Sequence, residues 1–197
     1  MSTLANAEEL MRFVSVTLHE LVMPGSLRSR VASACLGVAL DHHHAITILV
    51  ANDRMASALA LARPIFESFL RGTWLTHCAT DDQVNAFSTG WSPPKINRLL
   101  EDIENKPGYD GKVLSAIRAS SWSSMCEYTH TGGLQIQRWQ TESSVEPKYS
   151  KEEVEEVLAF TNLFACLSAI EMVGISGSDE TFESLTKSLA KYLPAEA

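Results

Sequence analysis

Three charged residues in an otherwise apolar segment are the groups of this sequence best suited to chemistry. Arg63, Glu67 and Arg71 follow one another at intervals of four residues, a spacing that places them along one strip of a helix. Bulky apolar residues surround them, so we expect these charges to be at least half buried and paired. Two interpretations stay open, a structural salt-bridge ladder and an arginine that binds phosphate or carboxylate in a cleft.

Tyr128 and His130 form a second group, just before Gly132 and Gly133. A histidine beside flexible backbone suits a general acid or base, and His130 is therefore the preferred titratable residue. The structural alternative is a histidine at a helix C-terminus, where the helix dipole favours its charged form.

Asp41 is followed by three consecutive histidines. Successive residues of a helix point in different directions, so these three cannot chelate one metal ion together. We expect His44 to be the interior member, as a hydrogen-bonded core residue or as a ligand-binding group. The candidate site residues are therefore His130, Arg63, Glu67 and Arg71 for catalysis, with Arg63, His44 and Tyr128 for ligand binding.

The backbone that carries these residues is predicted to be helical, in one domain over residues 1–197. Apolar residues recur at helical spacing along most of the chain. About six or seven such helices predict an all-α fold, an antiparallel bundle. The helix with the charged strip is expected to begin after Asp53 as its N-cap. Pro64 should bend it between Ala60 and Arg63, unless two separate helices replace it.

Capping residues and Gly or Pro breaks predict the other helices. They are expected at Leu4 to Val22, Ser26 (N-cap) to Ala51, Ser92 (N-cap) to Ile103, Gly111 to Tyr128, Ser150 (capping box) to Val173, and Asp179 to Leu193. A short turn is expected from Asp81 or Asp82, as its cap, to Ser88. Residues 131–149 are expected to form a long irregular loop. Within it, Leu134 to Trp139 alternates as a short strand would.

The overall composition is that of an ordinary globular domain. Of 197 residues, 45% are hydrophobic and 20% charged, and the mean hydropathy is -0.02. The chain begins with no recognisable signal peptide, and no stretch is expected to span a bilayer, so we predict a cytoplasmic protein without membrane contact. The formal net charge of -8 disfavours sequence-independent binding to nucleic acid but permits a local basic groove.

The four cysteines are far apart in the sequence, without the short spacing of a metal site. We expect reduced core thiols within helices at Cys35, Cys78, Cys126 and Cys166. No motif indicates a serine hydrolase, a P-loop, a dinucleotide fold or a zinc protease. No cofactor is expected.

Arg71 and His77 match by spacing the R-x(4–6)-H signature of HEPN-type ribonucleases. Six residues place them about 120° apart on a straight helix. The run from His44 to Leu75 resembles the central helix pair of uncharacterised bacterial helical proteins, some linked to abortive infection, and the later Tyr128 and His130 fit this pattern. The resemblance implies a HEPN-like bundle that either cleaves RNA or is an inactive interaction module.

Two functions follow as alternatives, and the sequence does not decide whether the protein is an enzyme. One is a HEPN-like RNA-targeting or phage-defence effector, in which His130 transfers protons and Arg63 or Arg71 stabilises phosphate charge. Against it, Ser124 to Cys126 occupy the positions where that resemblance calls for an arginine. The other is a non-catalytic module, expected as a homodimer, that binds a protein partner or a small anion. A bundle metal site would need four inward ligands, Asp41, His44, Glu67 and His130.

Overall fold

The computed structural model describes residues 2–19 and 21–192, and within these ranges the protein is all-helical, without a β-strand. The all-α prediction is therefore confirmed. The helices are α1 (Thr3–His19), α2 (Leu27–Ala51), α3 (Met55–Ala60), α4 (Ala62–His77), α5 (Asp81–Ser88), α6 (Ile96–Glu104), α7 (Val113–Thr129), α8 (Gly133–Gln137), α9 (Lys151–Ser176) and α10 (Asp179–Leu189), followed by a 3₁₀ turn at Ala190–Tyr192.

The helix that carries the charged strip consists of two pieces, α3 and α4. Pro64 lies in the first turn of α4, where a backbone N–H would have no acceptor within the helix, so the proline costs no hydrogen bond there. This break and the short helices α5 and α8 raise the helix count above the predicted six or seven. The break also makes α4 a separate helix, whose first residue immediately precedes Arg63.

Helices α2, α4 and α9 contain most of the core. The aromatic ring of Phe164 on α9 packs against Phe66 and Phe69 on α4, with ring centroids 5.1 and 5.4 Å apart, and all three side chains are fully buried. Gly72 permits the close approach of α4 to α2, because a Cβ there would lie 2.6 Å from Cγ of Leu36. This dense packing fixes the position of α4.

Several helix ends differ from the predictions. Ser26 and Ser150 cap α2 and α9 as predicted, Ser150 within a capping box. Asp53 does not cap α3, because its φ of 58° is left-handed and Arg54 precedes the helix instead. Thr80, rather than an aspartate, caps α5. Ser92 does not cap α6, which begins at Ile96, since two successive prolines favour extended backbone before it.

The predicted irregular loop is partly ordered. The strand-like alternation of Leu134 to Trp139 does not give a strand, because Gly133–Gln137 forms α8, and Gln140 pairs with Val145 in an isolated β-bridge. The Glu127 carboxylate accepts a hydrogen bond from the backbone N–H of Leu134 at 3.2 Å, which satisfies a free donor of that short helix.

The terminal helices also differ slightly from their predicted bounds. Helix α1 ends at His19, before the predicted Val22, and α9 continues through Gly174 to Ser176. Gly177 ends α9 in the left-handed conformation, with φ of 73°. The predicted end of the last helix at Leu193 lies outside the described residues.

Two helices, α2 and α9, are long and apolar enough to cross a membrane by length and composition alone. The expectation that no stretch meets this criterion is therefore wrong. Both contribute to the core of the protein, and 39% of the apolar window in α2 and 50% of that in α9 are buried within it. Core helices of this kind satisfy the same criterion as a membrane span.

Candidate functional site

Arg63, Glu67 and Arg71 form a continuous hydrogen-bonded ladder along α4. The Nε of Arg63 donates to one Glu67 carboxylate oxygen at 2.7 Å, and Nη2 of Arg71 donates to the other at 2.6 Å. The side chains are 25%, 14% and 33% exposed in chain order. The carboxylate is thus the most buried of the three, while both guanidinium groups keep contact with solvent.

His130 contacts the first residue of this ladder. Its Nε2 lies 2.8 Å from Nη1 of Arg63. Since a guanidinium only donates, Nε2 is the acceptor in this contact. The same Nη1 lies 3.6 Å from Sγ of Cys126. The structure therefore brings Arg63, Glu67, Arg71 and His130 into one chain of contacts.

The ladder forms one wall of an open cleft of about 720 Å³, the ladder cleft. Its other walls come from α7 and from the segment that links α5 to α6. The lining residues are Arg63, Glu67, Arg71, Phe87, Gly90, Trp91, Ser92, Pro93, Pro94, Lys95, Ile96, Asn97, Arg118 and Trp122. Four of these side chains are cationic and one is a carboxylate, a formal surplus of three positive charges in a protein of net charge -8.

Arg118 and Trp122 of α7 line the ladder cleft together with Arg63. The guanidinium carbon of Arg63 lies 4.7 Å from the ring centroid of Trp122, and that of Arg118 lies 5.4 Å from it, both within cation–π range. The Nε of Arg118 is buried and has no hydrogen-bond partner among the described residues. A buried donor without a partner costs about 1–3 kcal/mol.

His44 and Tyr128 do not line the ladder cleft. Tyr128 donates to a carboxylate oxygen of Glu153 at 3.2 Å and borders a separate cavity of about 380 Å³. Burial, followed by the charge of Glu153, raises the pKa of Tyr128 to about 12. The ligand-binding roles of His44 and Tyr128 stay predictions, and the structure places neither residue beside the ladder.

The interior histidine of α2 is His43, so the prediction for His44 is wrong. His43 is 1% exposed, and its Nε2 lies 2.8 Å from Oδ1 of Asn162 on α9. Burial lowers the pKa of His43 to about 4. His44 is only half-buried, because the next residue of a helix is rotated by about 100°. Its buried Nε2 has no hydrogen-bond partner among the described residues.

Arg71 and His77, the pair that matches the ribonuclease spacing, belong to different sites. Arg71 pairs with Glu67, whereas Nε2 of His77 lies 2.8 Å from a carboxylate oxygen of Glu171 on α9. The angle between two residues six positions apart on α4 directs them to different neighbours. The motif therefore does not assemble a joint Arg–His site.

The cysteines are free thiols. Cys166 is buried and the other three are half-buried, so the prediction of core thiols holds fully for Cys166 alone. Cys78 follows the last residue of α4 as its C-cap, so its predicted place within a helix is wrong. Burial raises the pKa of Cys35, Cys78 and Cys166, the last to about 12. Among residues 2–19 and 21–192, no group of three or more His, Cys, Asp or Glu side chains could hold a metal ion.

Four residues that line the ladder cleft were not predicted from the sequence: Arg118, Trp122, Lys95 and Trp91. Arg118 and Trp122 are four residues apart, so their shared helix face could have been found from spacing alone. The approach of that face to α4 could not have been found from the sequence, because it depends on how α7 packs in the folded protein.

Residues 36–195 match a family described as a family of unknown function, DUF6988. The chain belongs to this family. The match contains every residue that lines the ladder cleft, and it agrees with the predicted membership of an uncharacterised helical family. No curated protein and no solved structure matches this chain.

Proposed function

We propose that the ladder cleft binds an anionic ligand that carries a phosphate group. The observation that carries this proposal is the surplus of three positive charges among the lining side chains. Among the described residues, neither Lys95 nor Arg118 has a carboxylate within 4.0 Å. Two cations without counter-ions, on different segments that line one concave surface, favour a multiply charged anion.

The ladder itself supports this function over a purely structural role. Glu67 occupies Nε of Arg63 and Nη2 of Arg71, and thereby holds both guanidinium planes in fixed positions. Donor atoms of Arg71 stay available, since each guanidinium has five N–H groups. A phosphate would receive bidentate hydrogen bonds from groups that lose little side-chain entropy on binding.

The apolar part of the cleft favours an aromatic group on the same ligand. Trp91 is 44% exposed and lies beside Phe87, Pro93 and Pro94 in the lining. An exposed indole beside a cationic wall suits a planar ring that stacks while its phosphate contacts arginine, as in a nucleotide. We therefore propose a nucleoside monophosphate, or one nucleotide of a longer chain, as the ligand class.

Isothermal titration calorimetry with 5′-AMP, adenosine and inorganic phosphate tests the proposal. We expect 5′-AMP to bind more tightly than either fragment. Arg118→Gln should weaken binding by about tenfold, since one unit charge about 5 Å away contributes about 1–3 kcal/mol. Arg12→Gln is the matched control, because Arg12 is exposed on α1. This substitution removes the same charge at a position far in the sequence from the residues that line the cleft. Equal affinities for both variants would refute the proposal.

A second candidate is the predicted HEPN-like action on RNA, and the Arg63–His130 contact is the observation that favours it. If Arg63 releases Nε2, the imidazole of His130 could accept a proton there from a ribose hydroxyl beside the phosphate cleft. His130 is not among the residues that line the cleft, so binding without cleavage has the stronger support.

Incubation of purified protein with single-stranded and structured RNA distinguishes the two candidates. Cleavage by the wild type that is lost in both His130→Ala and Arg71→Ala would establish the enzyme. Equal background in all three proteins, together with 5′-AMP binding, would leave a binding module only.

A further inference from the structure

A further cavity lies between α4, α9, α10 and the segment that links α6 to α7, and none of its lining residues belongs to the ladder cleft. We name it the α9 pocket. Its volume is about 500 Å³, within the range of small-molecule sites. It is lined by Thr76, His77, Gly108, Tyr109, Leu167, Ile170, Glu171, Gly174, Ile175 and Phe182.

The polar end of this pocket is a hydrogen-bonded triad of Tyr109, Glu171 and His77. The Tyr109 hydroxyl donates to one Glu171 oxygen, and Nε2 of His77 lies 2.8 Å from the other. The side chain of Glu171 is 10% exposed. Burial and the Glu171 charge both raise the pKa of Tyr109, so its hydroxyl stays protonated as a donor.

The triad leaves one hydrogen-bonding position for a ligand. Both Glu171 oxygens already accept hydrogen bonds, and Nε2 of His77 must carry its proton to donate to this carboxylate. In the neutral ring Nδ1 is then an acceptor, and it has no partner among the described residues. The His77 side chain is 39% exposed, and it is among the residues that line the pocket.

The remaining walls select against charge. Leu167, Ile170, Ile175 and Phe182 are apolar, and no lysine or arginine lines the pocket. An anion would therefore meet the Glu171 charge without a compensating cation. Phe182 is 40% exposed and lies on α10.

We propose that the α9 pocket binds a small, uncharged and mainly apolar molecule that donates one hydrogen bond to Nδ1 of His77. A phenol has this chemistry: its ring fills the apolar part while its hydroxyl meets the imidazole. This site is independent of the anion site, because the two share no residue and select opposite chemistry.

The test uses p-cresol, with toluene and benzoate as matched probes, and follows backbone amide shifts by NMR. The wild type should bind p-cresol about threefold to tenfold more tightly than toluene, as one neutral hydrogen bond predicts. Benzoate should bind most weakly. Tighter binding of benzoate than of p-cresol, or equal binding of p-cresol and toluene, would overturn the proposed ligand class.

Two variants locate the site. A Cβ at Gly174 would meet no atom within 4 Å, so Gly174→Leu should fill the pocket without disrupting the helix and weaken both p-cresol and toluene at least tenfold. Gly37→Leu is the matched control, since Gly37 is also helical with open space at Cβ, and it should bind as the wild type does. Unchanged binding to Gly174→Leu would overturn the proposal.

His77→Phe tests the hydrogen bond separately. It keeps a ring in place and removes the acceptor, so p-cresol and toluene should then bind with equal affinity. A preserved preference for p-cresol in a folded His77→Phe protein, checked by circular dichroism, would refute the role of Nδ1.

Discussion

Replacement of Glu67 by glutamine tests the ladder most sharply, because it affects stability and anion binding in opposite directions. The change preserves the shape of the side chain and removes the charge that Arg63 and Arg71 share at 2.7 and 2.6 Å. The folded protein then holds two half-buried guanidinium groups without a counter-ion. The cleft gains a further net positive charge.

The loss of stability follows from burial. Breaking a fully buried ion pair costs about 3–5 kcal/mol, whereas an exposed pair contributes at most about 1 kcal/mol. Since Arg63 and Arg71 are 25% and 33% exposed, solvent screens part of the interaction. We expect Glu67→Gln to lower the free energy of unfolding by about 1–2 kcal/mol.

The gain in affinity follows from Coulomb's law. Removal of a negative charge about 6–8 Å from a bound phosphate is worth about 1 kcal/mol at intermediate dielectric, or roughly a fivefold tighter complex. A structural ladder alone predicts the loss of stability without this gain.

Urea unfolding followed by tryptophan fluorescence measures the first effect, and calorimetry with 5′-AMP measures the second. Glu142→Gln is the matched control, since Glu142 is exposed and lies outside the ladder cleft. It should change neither quantity measurably. A Glu67→Gln protein that is as stable as the wild type, or that binds 5′-AMP more weakly, would refute the reasoning.

Three further predictions concern the scaffold. Burial lowers the pKa of His43 from its ordinary value of 6.5 to about 4, so its neutral ring stabilises the fold above pH 6.5, and about 3 kcal/mol of stability is lost as the pH falls towards 4. Urea unfolding at pH 7 and pH 4.5 should show a smaller loss of stability in His43→Gln than in the wild type, and equal losses would contradict this cause. Glu104 is 3% exposed and caps α7, because it accepts hydrogen bonds from N and Oγ of Ser115 at 2.8 and 2.5 Å. Glu104→Ala should therefore lower the free energy of unfolding by about 2 kcal/mol in chemical denaturation. A loss below about 0.5 kcal/mol, roughly half the contribution of an ordinary cap, would show that Glu104 does not act as one. Phe164→Ala should cost about 3–5 kcal/mol by the same assay, because a fully buried ring leaves a cavity; a cost under about 1 kcal/mol would mean that the core closes around it.

Local patterns account for much of what the sequence predicted correctly. The capping box at Ser150 depends on residues within one turn, and the i, i+4 spacing of the ladder is set by helix geometry alone. Pro64 marks the break because its effect on the backbone is independent of tertiary packing.

Features that depend on packing were not accessible in this way. Helix α2 is apolar on most sides, so its sequence does not distinguish His43 from His44, although a rotation of 100° separates a core position from a half-buried one. Arg118 and Lys95 enter the cleft only because α7 and the segment before α6 pack beside α4. The predicted homodimer and cytoplasmic location stay predictions.

The most direct measurement of anion binding is a crystal structure of the protein grown with 5′-AMP above its dissociation constant. We predict the phosphate in the ladder cleft, within hydrogen-bond distance of the Arg118 and Arg71 guanidinium groups, with the adenine against Trp91. An empty cleft in a crystal whose packing leaves it open, or a phosphate bound elsewhere, would contradict the proposed function.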